Sequence, residues 1–145
     1  MRAEDFPPIS DELLQTWSRF PSWDQDTNMA LHMGFIVEDI RAGYARLRMP
    51  ISPNIMQPAG LIHGGAIASL IDTAVVPALG GVGVEPTRMV TISMNINYMG
   101  AISDEDAVCE GWITRQGRSI IFCSAEVTGA QSGKVCATGT LVYKV

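Results

Sequence analysis

An α+β domain is the fold this sequence predicts, with one apolar helix laid against an antiparallel sheet. Three observations predict it. Ala66, Ile67, Leu70, Ile71, Ala74 and Val75 form one continuous apolar stripe at about 100° per residue, the spacing of a helix that buries one side. Residues 89–99 alternate strictly, with Val90, Ile92, Met94, Ile96 and Tyr98 set against Thr91, Ser93, Asn95 and Asn97, the period of a strand. Further strand-like runs bounded by turn residues lie on either side of these two, with no repeat and no linker to a second domain.

The elements can be justified in order. "ISDELLQTWSRF" is capped by Ser10, carries Asp11 and Glu12 in its first turn and stops before Pro21. Leu13, Leu14, Trp17 and Phe20 give it one apolar edge, so a short helix is expected to lie on the domain, either as a lid or as peripheral packing. A loop through "PSWDQDTN" follows, and residues 1–30 form a helical extension ahead of a domain over 31–145. Two strands flank a turn at Arg41–Gly43; in the second, Tyr44, Arg46 and Arg48 share one face and Ala45, Leu47 and Met49 the other. "ISPNIMQPAG" is a loop. The helix then runs from about Gly64 to about Val76, where Pro77 is expected to kink or end it. Strands are predicted over Met89–Met99, Ala107–Arg115, Ser119–Thr128 and Val135–Tyr143, the last three joined at Gln116–Gly117 and "GAQSGK". The apolar row of residues 89–99 should pack on the helix, which sends the Thr91 row to the opposite face, toward solvent or another subunit.

Composition narrows the function. A chain of 145 residues suffices for one domain with a substantial core. Hydrophobic content of 47% against 17% charged favours burial of further surface by self-association. A net charge of -5 and a pI near 4.8 argue against a broad basic field for nucleic acid, although a few local arginines could hold one anionic ligand. Cys109, Cys123 and Cys136 are odd in number, lack a CxxC pattern and sit in strand-like runs, so each is read as a small buried apolar residue and neither a disulfide framework nor a zinc site is expected. No secretory leader is read in "MRAEDFPPISDELL", and no run approaches the roughly 20 apolar residues of a membrane span; the expected setting is a reducing cytoplasm with no membrane partner.

The chemistry concentrates in "QPAGLIHGGAIASLIDTA". Asp72 lies off the apolar stripe, and the helix holds no Lys or Arg to pair with it at i±3 or i±4. Spacing leaves two readings: a solvent-facing residue, or a carboxylate aimed at a ligand site. His63 precedes Gly64–Gly65 where a helix exposes unpaired N–H groups and its positive dipole end, a setting suited to an oxyanion or a polarised carbonyl. Equally, the glycines could simply make the turn, with His63 as a cap. Nine positions separate His63 from Asp72, about 13 Å along the axis and on roughly opposite sides. If both serve one substrate, the site must be shared between two subunits.

This stretch resembles the hotdog-fold thioesterases of the phenylacetate-degradation (PaaI-like) type, in which Asn or Gln precedes Gly, then His-Gly-Gly, then an acid nine positions after the His. The resemblance continues through "VTISMNINYMG", "RQGRSIIFCSAEV" and "SGKVCATGTLVY", and covers about residues 33–144. It implies an antiparallel sheet wrapped around one long central helix, homo-oligomers that are usually tetrameric dimers of dimers, and sites at subunit interfaces. It also implies hydrolysis of acyl-CoA thioesters with no metal and no cofactor, CoA being part of the substrate. By position, Asp72 is the general base or nucleophile and the Gly65 N–H polarises the thioester carbonyl. Gln57 holds water or substrate, His63 orients the thioester end, and Thr91 supplies a hydroxyl near the water. One departure stands out: Asp on the helix is usually paired with Asn in the loop and Glu with Gln, whereas this chain pairs Gln57 with Asp72.

For CoA, Gly117 and Arg118, with Arg88 and Arg115, are candidate phosphate contacts, set against plain solubility for surface arginines. "GAQSGKV" lacks the glycine spacing and hydroxyl of a phosphate loop, and no base is placed for a cysteine nucleophile. The rival readings are a non-catalytic acyl-CoA-binding hotdog module, which would not need Asp72, and a hydratase of the same fold, whose motifs are absent here.

Overall fold

Two strands, a helix and four strands follow one another as the sequence predicts. The computed structural model describes residues 2–145. Helices α1 (Asp11–Trp17) and α2 (Met29–His32) precede strands β1 (Ile36–Arg41) and β2 (Tyr44–Met49). Helix α3 (Gly64–Gly80) follows, then β3 (Val90–Tyr98), β4 (Ala107–Gln116), β5 (Ile120–Gly129) and β6 (Val135–Lys144). All strand pairs are antiparallel, in one six-stranded sheet of order β1-β2-β4-β5-β6-β3. This is the hotdog arrangement, a sheet around one long helix.

The apolar stripe of α3 is its buried side: all six of its residues are in the core, against Ala45, Leu47 and Met49 of β2, Cys109 of β4 and Ile121, Cys123 and Ala125 of β5. Burying a Leu or Ile side chain fully stabilises by about 1.5–3 kcal/mol, so this seam dominates the fold. Strand β6 crosses the helix at Gly139, where a Cβ would stand 2.7 Å from Ile71 Cγ2; a glycine lets sheet and helix close to that separation.

Three features differ from expectation. Helix α3 passes through Pro77 to Gly80, and the Gly81 N–H donates to the Pro77 carbonyl at 2.8 Å. Proline costs the helix a hydrogen bond, but Pro77, Ala78, Leu79 and Gly80 are all buried, and that burial holds the last turn in place. The second difference lies in β3. Thr91 pairs with Tyr143 but Ser93 pairs with Val142, so a bulge falls at Ile92. Met94 and Ile96, opposite Leu141 and Gly139, keep the expected side. The bulge resets the alternation, and Thr91 joins the helix-facing side, where it reaches Asp72. Its expected place on the opposite face is corrected. Third, Met29–His32, for which no element is predicted, form the one-turn helix α2, capped by Asn28.

The N-terminal segment packs at both ends. Ser10 caps α1, accepting from the Leu13 N–H at 3.3 Å. Trp17 is 1% exposed and lies on the last turn of α3, where a Cβ on Gly80 would overlap its indole. Ahead of α1, Phe6 stacks on Tyr44 at 5.5 Å and the Arg2 guanidinium sits 3.8 Å over the Trp112 ring. Arg2 also pairs with Glu126, which faces Glu110 across the β4–β5 ladder. Like charges in register oppose pairing, and Arg2 offsets them.

The three cysteines are free and buried. Burial pushes the Cys123 thiol up to about 12 and Cys136 to about 11, and Cys109 higher still. Two results are expected. Native protein should react slowly with a disulfide-exchange reagent and yield all three thiols only on denaturation. The folded state keeps these protons while the unfolded chain sheds them above about pH 8.5, so this stability is full below that pH and is lost as pH rises toward 11–12. A melting temperature that stays flat from pH 8 to 11 would contradict this.

Candidate functional site

The site is built around α3, from its first turn to its middle. His63 is the N-cap, with extended backbone, and its Nδ1 accepts the Gly65 N–H at 2.8 Å. An orphan amide of the first turn is thereby satisfied within the chain. The donor expected to lie open for a carbonyl is therefore engaged, by an imidazole that is itself exposed. Tyr98 braces the same turn, its hydroxyl donating to the Gly64 carbonyl at 2.7 Å. Gln57 stands in the preceding loop, where its Oε1 accepts the Ala59 N–H at 2.9 Å. That carbonyl oxygen is committed to its own turn.

Asp72 is half-buried in the middle of the helix, turned to the sheet. Its Oδ1 accepts from the Thr91 hydroxyl and from the Tyr143 hydroxyl, each at 2.7 Å. The tyrosine hydroxyl also lies 2.8 Å from the Asp72 main-chain carbonyl. Tyr143 is 2% exposed, and burial together with the Asp72 charge pushes its ionisation well up, so it remains a hydrogen-bond donor at neutral pH. Sequence reasoning missed Tyr143. It lies 71 residues from Asp72 in the chain, and only the packing of α3 on β6 brings the two together.

The remaining candidates gather beyond the C-terminal end of α3, at the turn between β4 and β5. Arg88, Gly117 and Arg118 line one cleft of about 250 Å³, with Glu85 and the chain end at Val145. Arg2, Arg19, Arg41, Arg46 and Arg48 each pair with a carboxylate. Among the described residues, Arg88, Arg115 and Arg118 form no ion pair. Arg115 sits at the end of β4 and does not line the cleft.

One protomer thus holds two separate sets of groups. His63, Gly65 and Gln57 cluster at the start of α3, while Asp72, Thr91 and Tyr143 meet about two and a half turns along it. Strand β3 ends the sheet with Val90, Ile92 and Tyr98, and Met99 just beyond it, each more than half exposed, an apolar edge of the kind that seeks a partner. Among the described residues no cluster of three or more His, Cys, Asp or Glu stands ready to hold a metal, and no helix is long and apolar enough to cross a membrane.

Comparison with known proteins agrees with this architecture. The sequence pattern of the Thioesterase superfamily matches residues 59–136. Acyl-coenzyme A thioesterase 13 of Homo sapiens is 35% identical over 86 residues, which are 55% of this chain and 57% of that protein. The chain therefore spans little more than half the length of that relative. The PaaI protein of the phenylacetic acid degradation operon of E. coli superposes with a TM-score of 0.78 over 90% of this chain and 93% of its own, at 18% identity. A hypothetical thioesterase of Streptococcus pneumoniae, solved with coenzyme A, gives 0.70 over 77% and 84%, at 23% identity.

Proposed function

Because the chain belongs to the thioesterase superfamily, we propose that it hydrolyses acyl- or aryl-CoA thioesters to a free acid and CoA in a homo-oligomer. The observation that carries this reading is the placement of Asp72: a carboxylate on an apolar helix, held by two hydroxyls and free of any ion pair among the described residues. Residues 31–145 are the catalytic domain in this reading and residues 1–30 an extension, whose described residues pack on it.

In the reaction proposed, Asp72 takes a proton from water as that water attacks the thioester carbonyl. The tetrahedral oxyanion is held by the Gly65 N–H of the other subunit, released from His63 as substrate enters. Collapse of the intermediate breaks the C–S bond, and CoA thiolate leaves with the proton Asp72 carried. Direct attack by Asp72, through a mixed anhydride that water then cleaves, uses the same groups. His63 orients the thioester end and Gln57 contributes its amide N–H₂, since its oxygen is engaged at Ala59. No resident metal or cofactor takes part, and the setting is a reducing cytoplasm.

Two features of the protomer support the homo-oligomer. The donor set at Gly65 and the carboxylate at Asp72 cannot meet within one protomer, and the exposed apolar edge of β3 supplies a surface on which a second copy would bring them together. A tetramer built as a dimer of dimers is the assembly we favour; light scattering behind size exclusion reads it directly.

The direct test is release of free thiol from a panel of acyl-CoA and benzoyl-CoA substrates by purified protein. Binding without turnover across that panel would favour an acyl-CoA-binding module instead. The cleft at Arg88 and Arg118 is assigned to the phosphates of CoA. Losing one charge-assisted contact of this kind costs about 1.5–3 kcal/mol. Arg118→Ala is accordingly expected to raise KM for acyl-CoA by about tenfold or more, while leaving KM for the matching acyl-pantetheine unchanged. Equal KM values for wild type and variant on acyl-CoA would remove Arg118 from the site.

A further inference from the structure

We infer that Tyr143 is a positioning residue: with Thr91 it clamps Oδ1 of Asp72 and so leaves Oδ2 as the oxygen that does the chemistry. The inference rests on the proposed role of Asp72 and adds to it a division of labour between its two oxygens.

The geometry is specific. Both hydroxyls meet the same carboxylate oxygen, Thr91 from β3 and Tyr143 from β6, each at 2.7 Å. Among the described residues Oδ2 accepts no hydrogen bond. The tyrosine hydroxyl has one proton and two acceptors, Oδ1 and the Asp72 main-chain carbonyl. That carbonyl lies inside α3, where the helix ladder already serves it. The proton therefore goes to the carboxylate, the stronger acceptor. Tyr143 is almost wholly enclosed, so water does not compete for it.

Two donors on Oδ1 fix the carboxylate plane, which an Asp on a helix would otherwise rotate about χ2. Short reach makes this matter more: with Asp in place of Glu, the acid has one fewer methylene, and orientation must come from its neighbours. The titratable side chain touching Asp72 is Tyr143, with Cys123 behind the tyrosine; no charged side chain pairs with it. The bulge at Ile92 belongs to the same device, because without it Thr91 would face away.

The test compares wild type, Tyr143→Phe, Thr91→Val and Asp72→Asn as full-length protein, with octanoyl-CoA and benzoyl-CoA as probes, kcat and KM measured separately and the melting temperature recorded for each. Tyr143→Phe removes one oxygen and keeps the ring. It is expected to lower kcat about tenfold with KM within about twofold, as loss of one hydrogen bond to a charged group implies. Thr91→Val should lower kcat in the same way, which keeps the idea testable if the tyrosine variant folds poorly. A purely structural tyrosine would lower the melting temperature and leave kcat, measured well below it, in place. If Asp72→Asn is inactive while Tyr143→Phe and Thr91→Val keep the kcat of wild type, the clamp is refuted and the role of Asp72 survives. If Asp72→Asn is as active as wild type, or wild type turns over neither probe, the reading of function fails and the clamp with it.

Discussion

Asp72→Ala is expected to lower kcat by about 100-fold or more, the usual range for loss of a positioned base, with the oligomeric state and the melting temperature nearly unchanged. The stability side follows from what the carboxylate touches. Removing it takes one acceptor from the buried Tyr143 hydroxyl, but the main-chain carbonyl of residue 72 stays 2.8 Å away and can receive that proton. Thr91 is only half-buried and can turn to water. No charge is stranded, because Asp72 forms no ion pair among the described residues. The activity side has no such substitute: neither hydroxyl can take a proton from water at neutral pH. Asp72→Asn serves as the companion, preserving shape and one acceptor while removing the negative charge. Thiol release measured at saturating substrate, beside size exclusion at matched protein concentration, checks both halves. Near-wild-type turnover by either variant would end the assignment of Asp72, and dissociation of the oligomer would show a structural role instead.

How far the sequence discloses this arrangement depends on the range of the interactions. Periodicity is local, and the strands therefore lie within a residue or so of their expected bounds; the apolar stripe on α3 is the buried side at all six positions. Capping is local as well, and Ser10 caps α1 as expected. The differences arise where distant contacts outweigh local rules. Pro77 signals a stop, but Gly80 is enclosed by Trp17, which lies far earlier in the chain. Strict alternation in residues 89–99 gives no sign of a bulge, because the bulge is a property of the pairing with β6. Thr91 therefore changes face, and Tyr143 gains a partner that no short window could reveal. The resemblance named Asp72, Gly65, His63, Gln57 and Thr91 by position. It did not disclose that the Gly65 amide and the Gln57 oxygen are engaged inside the protomer, since hydrogen-bond partners two residues away are not written in a motif.

Trp17→Ala should produce the largest loss of stability. Truncating a buried Trp costs about 3–5 kcal/mol, as transfer energy and as the cavity left behind. Trp17 meets the conditions for the full effect. It is 1% exposed although it sits on a seven-residue helix that could not hold its shape alone. The indole lies against the final turn of α3, and it is flanked by Phe20 and Trp23 with ring centroids at 5.7 and 5.1 Å. Gly80 is small because the indole occupies the space where its side chain would be, so Gly80→Ala should act in the same direction by pushing the ring out. A chain of this size loses about 2–4 °C per kcal/mol, which puts the expected fall in melting temperature at roughly 10 °C. Comparison must be made at equal protein concentration, since an assembly is stabilised by mass action. The substitution lies about two turns from Asp72 along α3, so kcat measured well below the melting temperature should remain close to wild type. A fall of only a degree or two would mean that residues 1–30 merely rest on the domain. A large fall with intact turnover would mean that the extension completes the core around the far end of the helix, with the burial of Trp17, Pro77, Ala78 and Leu79 sustaining the turn that proline alone would end.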